Sequence, residues 1–292
     1  MISAQVTPFG QNARRPSNVL CTQHLGRAAI VSLYDELTLY PKPGLVSFVD
    51  AGSHSDMDGA TFMRSLFSLR HYFAQVAVLG LREAPFGTLE VAGITAERRM
   101  LRATGGINTH RGAIFTLGLL CASAGRLHAK GEPFSAATLR SSLLQGWGDA
   151  LSRRRLIARD SNGQRAARVF GIRSVGDEAA SGFPVLFECA VPALRAATAA
   201  GMDKTRARLQ AFFQIMAALD DTNLATRGGL AGLHFAKRAA VQFLSAGGAG
   251  RNDALDHARS IHAAFVQRRL SPGGAADLLA CACWIQRVCT DE

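Results

Sequence analysis

Apolar residues recur at spacings of three and four along most of the chain, the period of a helix with one buried face. The pattern predicts helices over Val19–Leu39, Ala60–Leu81, Asn108–His128, Ser135–Ala158, Pro184–Ala200, Asp203–Leu219, Ala231–Leu244, Asn252–Arg269 and Gly274–Val288. Two-residue alternation, the mark of a half-buried strand, is absent. The expectation is an all-α protein with one multi-helix globular domain over residues 19–292, its helices joined by short Gly/Pro loops. Residues 1–18, rich in Gln, Asn, Pro and Arg, read as a flexible N-terminal tail. Apart from the short run Ala246-Gly-Gly-Ala-Gly250 there is no low-complexity tract, and no repeat of fixed period.

Composition adds limits. A chain of 292 residues with 48% hydrophobic and 19% charged residues has enough apolar surface for a large core. Arg14 and Arg15 lack the following apolar run of a secretory signal, and no apolar stretch reads as a membrane span of about 20 residues. A cytoplasmic protein without membrane contact is expected. The six cysteines form no Cys-x-x-Cys pair and sit in apolar surroundings, so reduced thiols are expected; Cys281 and Cys283 point to different helix faces. The formal charge of +11 suits polyanionic partners. Scattered basic residues, 7% aromatics and the lack of a known nucleic-acid motif argue against DNA or RNA; the charge fits anionic nucleotides without selecting them.

Polar chemistry gathers in four segments. In Thr104-Gly-Gly-Ile-Asn-Thr-His-Arg-Gly-Ala-Ile-Phe115, Gly105 and Gly106 allow close backbone approach, and Asn108, His110 and Arg111 add donors before a long apolar helix. A nucleotide phosphate fits such a helix start, and a plain glycine-rich turn feeding a buried helix is the other reading. Tyr40-Pro-Lys-Pro-Gly-Leu-Val46 presents Lys42 between two prolines, a phosphate contact or a solvated loop lysine. It leads into Asp50-Ala-Gly-Ser-His-Ser-Asp-Met-Asp58, where His54 and Asp56 are candidate ligands and Asp58 reads equally as a ligand or as the cap of the next helix. Asp220-Asp-Thr-Asn-Leu-Ala-Thr-Arg-Gly-Gly229 places two carboxylates at what reads as a helix C-terminus, where the dipole is unfavourable and a cation would compensate. The other reading makes Asp221 a cap and leaves Asp220 solvated. Arg227 lies four residues beyond Asn223 and could clamp a phosphate oxygen. Leu270-Ser-Pro-Gly-Gly-Ala-Ala-Asp-Leu-Leu279 reads as a helix start with Ser271 as N-cap and Pro272 at the first helical position; Asp277 reads as a cap or an orienting group. Glu36, one turn before the Pro-Lys-Pro-Gly loop, is a lone acid in an apolar stretch. His24, His71, His128, His234, His257 and His262 lie in helix patterns without polar company and read as structural or surface residues.

Together these segments, with Gly171-Ile-Arg-Ser-Val-Gly-Asp-Glu178 and Gly182-Phe-Pro184, resemble the triphosphoribosyl-dephospho-coenzyme A synthase family from about Glu36 to Leu279. Leu45-Val-Ser-Phe-Val-Asp-Ala-Gly-Ser-His54 looks more like the malonate decarboxylase branch than the citrate lyase branch, in which Asp is expected at the position of Ser47. The resemblance implies transfer of the triphosphoribosyl part of ATP to the ribose 2′-hydroxyl of 3′-dephospho-coenzyme A, with release of adenine. The product is the prosthetic-group precursor for the acyl carrier protein of malonate decarboxylase, handed on by a downstream transferase. Breaking the bond from ribose C1 to adenine builds oxocarbenium-like charge, which calls for a carboxylate, a base for the hydroxyl and a donor for the departing purine. The implied catalytic set is Glu36, His54, Asp56, His110 and Asp221. The implied nucleotide-binding set is Lys42, Gly105, Gly106, Asn108, Arg111, Asn223, Arg227, Gly273 and Gly274. Mg²⁺, expected with ATP, draws on Asp56, Glu178, Asp220 and Asp221. Which residue acts as base, acid or ligand stays open, as does the oligomeric state, a homo-oligomer included.

Two other functions fit parts of the pattern. A helical Mg²⁺-dependent nucleotide or ADP-ribose hydrolase would use the same carboxylates with water as acceptor, and its products distinguish it. A basic module binding nucleic acid or a carrier protein leaves the acidic and His residues beside glycine turns unexplained; steep salt dependence of binding would mark it.

Overall fold

The computed structural model describes residues 16–156 and 161–289, and among them every regular element is helical. The helices are α1 (Pro16–Thr38), α2 (Gly59–Leu69), α3 (Tyr72–Leu81), α4 (Phe86–Ala103), α5 (Arg111–Lys130), α6 (Ala136–Leu156), α7 (Asn162–Phe170), α8 (Val175–Ala180), α9 (Val191–Ala199), α10 (Lys204–Ala218), α11 (Thr222–Ser245), α12 (Ala254–Gln267) and α13 (Gly273–Val288). A π-helical stretch, Val185–Ala190, runs directly into α9. The expected tail lies outside the described residues up to position 15; Pro16, Ser17 and Asn18 already belong to α1.

Helix α5 forms the centre. By length and composition it could cross a membrane, contrary to the sequence reading, but 72% of its apolar window is buried by α1, α3, α6 and α13. Its small residues set the spacing: a Cβ on Gly80 of α3 would lie 1.9 Å from the Ala122 carbonyl oxygen, and one on Gly125 would lie 2.0 Å from that of Ala77. The two backbones therefore touch, and either Gly→Ala change forces them apart. Around this pair, Trp284 of α13 donates its indole N–H to the Leu25 carbonyl of α1 at 3.1 Å. Asp35 of α1 is 2.8 Å from Arg208 of α10 and also pairs with Arg287 of α13. The described cysteines are free thiols, and Cys121, Cys281, Cys283 and Cys289 are buried.

The structure departs from the periodicity in several places, each for a physical reason. The predicted helix Ala60–Leu81 breaks at Arg70, whose N–H bonds Phe67 in a tightened final turn; both halves face the core, so the period continues across the break. Pro192 has no N–H for the preceding turn, and the predicted Pro184–Ala200 helix opens there into the π-helical stretch. Helix α4 carries no strong signal because its buried stripe is Leu89, Ala92, Ala96 and Met100, half of it alanine. Helices α7 and α8, of nine and six residues, are too short to show a period. Helix α11 begins at Thr222, not Ala231, and absorbs the Asp-Asp motif's second half, with a kink at Gly229 (φ 61°, ψ −164°).

Candidate active site

A cavity of about 810 Å³ opens between α1, α4, α5, α7 and the N-terminal ends of α11 and α13. Glu36, His54, Asp56, Asn108, His110, Arg111, Glu178, Asp220, Asp221, Asn223, Arg227, Gly273, Gly274 and Asp277 all line it. Residues from the four sequence segments, more than 200 positions apart at the extremes, thus meet in one place. Phe62, Phe86, Leu89, Ile94 and Phe115 give it an apolar side, with Arg154 lying 5.4 Å from the Phe115 ring centre.

Lys42, Gly105 and Gly106 stand apart from this wall. Lys42 is 1% exposed, and its ammonium is turned inward to the Glu36 carboxylate and, at 2.8 Å, to the Glu36 carbonyl. It is a buried counterion and not an open phosphate contact. Gly105 and Gly106 end α4: Gly105 takes φ 68°, and the Gly106 N–H reaches back to the Leu101 carbonyl at 2.7 Å, the reverse-turn cap of a helix C-terminus. Helix α5 starts only at Arg111, so the glycine pair does not bring backbone to a phosphate at its N-terminus. There the caps are side chains, Asn108 accepting from the Arg111 N–H at 3.2 Å. Arg111 pairs with Glu97, its Nε 2.6 Å from the carboxylate.

Asp220 and Asp221 also differ from the reading of a helix C-terminus. Helix α10 ends at Ala218, and the pair leads into α11. Asp221 is buried and its two oxygens serve two helices: one accepts from Asn223 of α11 at 2.9 Å, the other from Ala275 of α13 at 3.0 Å. Both dipoles are favourable here, so no cation is required. Burial nevertheless raises its pKa, against the lowering effect of the amides of Ala275, Asn223, Leu224 and Gly274. Asp220 is ion-paired with Lys237 at 2.6 Å. A Cβ on Gly274 would fall 3.1 Å from the Asp221 carboxylate, and one on Gly273 2.9 Å from the Asn223 amide nitrogen, so these glycines let α13 dock on α11.

Asp58, open between two roles, is a cap: its carboxylate accepts from Thr61 N at 2.8 Å. Ser271 does not cap α13, whose flanking residue is Pro272; its hydroxyl lies 2.8 Å from His54 Nε2. Arg227 donates to His54 Nδ1 at 3.0 Å, which assigns the proton to Nε2 and leaves His54 no free lone pair. Burial first, and the Arg227 charge second, lower the His54 pKa to about 4. Asp56 stays exposed, 3.6 Å from His54 Nδ1. Glu178 is buried, accepts from Val185 N at 3.3 Å and pairs with Arg173 at 3.0 Å.

His110 is the N-terminal flanking residue of α5 and is 3% exposed. Its Nδ1 lies 2.7 Å from the Ser65 hydroxyl and its ring packs edge-on to Phe62, while Nε2 has no protein partner. Burial, with a contribution from Lys42, drops its pKa to about 3, so the imidazole is neutral at neutral pH. His262, read as lacking polar company, acquires it from the tertiary fold: Nδ1 lies 3.0 Å from the Lys42 carbonyl and Nε2 3.3 Å from Asp50. It fixes the loop that carries Lys42, a role no helical pattern signals.

No group of three or more His, Cys, Asp or Glu side chains among the described residues is arranged to hold a metal ion. Asp221 and Glu178 are buried with their oxygens engaged; Asp56 is exposed, and the partly exposed Asp220 has one oxygen paired with Lys237 and the other held only by the Arg173 N–H at 3.5 Å, so these two are the carboxylates open to a cation.

Residues 22–291 match the family model described as ATP:dephospho-CoA triphosphoribosyl transferase. The chain is 38% identical over 270 residues to a probable 2-(5''-triphosphoribosyl)-3'-dephosphocoenzyme-A synthase of Acinetobacter calcoaceticus, covering 91% of this chain and 92% of that protein. It is 37% identical over 284 residues to the 2-(5''-triphosphoribosyl)-3'-dephosphocoenzyme-A synthase of Klebsiella pneumoniae, with the same coverage. No solved structure matches.

Proposed function

The chain belongs to the ATP:dephospho-CoA triphosphoribosyl transferase family, and from that premise we propose a specific course for the reaction and a destination for its product. ATP enters the cavity with its triphosphate toward Arg111, Asn108, Asn223 and Arg227 and its purine toward the apolar side formed by Phe62, Phe86 and Phe115. The 2′-hydroxyl of 3′-dephospho-coenzyme A attacks C1 of the ATP ribose, and adenine leaves. The observation that carries this reading is the gathering of four distant motifs on one cavity large enough for a nucleotide.

Charge development sets the roles. The transition state is positive at C1, and Glu36, neutralised from below by Lys42, offers the adjacent carboxylate. Attack on such a carbon acidifies the hydroxyl proton, so a weak base suffices. The neutral His110, with Nε2 unpartnered in the cavity wall, takes it. His54, with both ring nitrogens engaged, instead fixes Arg227 beside Ser271.

Asp56 and Asp220 would hold a Mg²⁺ ion that comes with ATP. When bound it would offset the phosphate charge. The product serves the acyl carrier protein of malonate decarboxylase through a downstream transferase, in keeping with the Leu45–His54 segment, and the enzyme works in the cytoplasm.

Incubation with ATP, Mg²⁺ and dephospho-coenzyme A, followed by chromatography, tests the reading. Adenine release that depends on dephospho-coenzyme A and fails with intact coenzyme A is expected. Equal turnover with both acceptors, or phosphate and ADP-ribose fragments as products, overturns it.

A further inference from the structure

Asp277 enters the cavity wall one helix turn inside α13, directly against the first turn of α5. The approach is close: a Cβ on Gly112 would sit 1.8 Å from Asp277 Oδ2, so only glycine admits the carboxyl there. The Ala113 amide of α5 favours the charged form of that carboxyl. His110 and Asp277 therefore meet the same helix end, and both line the cavity.

Three acids line the cavity at this spot, Glu36 from the end of α1, Asp221 from the N-terminus of α11 and Asp277 from α13, and the first two act on the third. Their surroundings are unequal. Glu36 has the Lys42 ammonium as counterion. Asp221 accepts from the amides of Asn223 and Ala275, and those of Leu224 and Gly274 add to the favourable field. Among the described residues Asp277 has the Ala113 amide alone favouring its charge, and the Cys281 thiol one turn along α13 brings no positive charge. Three negative charges around one ammonium in a largely water-poor wall are costly, and the least supported acid is the one that keeps its proton. Burial, then Glu36, then Asp221 push the Asp277 pKa well above the ordinary carboxyl range, in agreement.

A second observation marks the same wall as a place where a ligand is received. His110 Nε2 and Thr109 Oγ1 are buried there without a protein partner. Native proteins rarely leave such atoms orphaned unless water or a ligand completes them.

We propose that Asp277 is the general acid of the transfer, held as the neutral carboxyl at neutral pH and donating its proton to a ring nitrogen of the departing purine. This rests on the function proposed above. The bond from C1 to the purine breaks with its electron pair moving to the base, the Asp277 proton neutralises that charge, and adenine leaves uncharged. The hydroxyl proton passes to His110 as the new C–O bond forms, then to solvent, from which Asp277 is reprotonated. No proton is gained or lost overall.

Infrared difference spectroscopy of the full chain at neutral pH should show the carbonyl stretch of a protonated carboxyl, absent in Asp277→Asn. Adenine release by Asp277→Asn should fall in kcat by about 100-fold, the usual scale for a lost general acid, with KM for ATP little changed. The alkaline limb of the parent's kcat–pH profile should vanish in that variant. A band that persists in Asp277→Asn, a parent without the band, or a folded variant with parental kcat overturns the assignment. Where Asp277→Asn does not melt cooperatively, Asp277→Glu decides: a displaced alkaline limb supports the assignment, and a profile superimposable on the parent's overturns it. If the parent releases no adenine, the proposed function fails, and the infrared band alone then decides whether Asp277 holds a proton.

Discussion

The ammonium of Lys42 is buried against the side chain and the backbone carbonyl of Glu36, six residues earlier. The last turn of α1 and the Pro-Lys-Pro loop are thereby locked together under the cavity floor. His262 of α12 holds the same loop from the other side through the Lys42 carbonyl. A lysine between two prolines resembles an open phosphate contact. Here its charge instead makes a buried carboxylate possible at the place where the transferred sugar becomes positive.

Removing one partner of such a pair strands the other. Lys42→Met should destabilise the protein by about 3–5 kcal/mol, the range for an uncompensated buried charge, measured by urea unfolding. The double variant Glu36→Gln with Lys42→Met should recover most of that loss while remaining inactive. Unchanged stability of Lys42→Met would show that the carboxylate reaches water or another cation.

His54 offers a local probe of the cavity. Its pKa of about 4 reflects burial first and the Arg227 guanidinium second. In Arg227→Gln the repulsive charge is gone, and the NMR titration of His54 should move upward without reaching the ordinary value of about 6.5. Arg227 also bridges the Ser53 and Arg269 carbonyls, at 3.1 and 3.2 Å, and lines the cavity as the proposed triphosphate contact, so KM for ATP should rise as well. An unmoved titration would place the guanidinium elsewhere in solution.

What could be read along the chain is what local pattern encodes. The long apolar period of α5 and the clustering of Gly, Asp and His at helix ends announce an all-helical protein with polar chemistry at the termini. Roles that depend on a second element arriving in space leave no local mark. Asp221 reads as an acid at a helix end, but whether it meets a C-terminus or caps two N-termini depends on α13 docking through Gly273 and Gly274. Asp277 reads as a cap or an orienting group until Gly112 of α5 is seen opposite it. Helix α4 was hidden because alanines supply much of its buried face.

The buried neutral His110 couples stability to acid. Its folded pKa of about 3 lies below the ordinary value of about 6.5, so between these limits the unfolded chain binds the extra proton and stability rises with pH. Asp221 and Asp277, whose folded pKa values are raised, act with the opposite sign. The comparison with a variant isolates the histidine: His110→Asn should flatten the gain in stability from about pH 4 to 6.5 relative to the parent. Parallel curves for parent and variant in chemical denaturation across that range would mean that His110 is solvated and titrates normally.

Asp220 and Asp221 are adjacent in sequence and opposite in consequence. Asp221 ties the first turns of α11 and α13 to a single buried carboxylate, and an amide in its place keeps one acceptor oxygen but turns an N–H₂ group toward the other helix's donors. Asp221→Asn should therefore lose about 1–3 kcal/mol, the cost of leaving a buried donor unsatisfied, and lose it equally with and without Mg²⁺ and ATP. Asp220 is partly exposed and paired with Lys237, a contact of at most about 1 kcal/mol. Asp220→Asn should melt close to the parent, yet its Mg²⁺-dependent thermal shift in the presence of ATP should shrink, because a ligand held only by the folded state stabilises it by mass action. Thermal unfolding of both variants, with and without Mg²⁺ and ATP, separates the roles. A stable, metal-insensitive Asp221→Asn together with an Asp220→Asn that keeps the full thermal shift would reverse the assignment of cap and ligand.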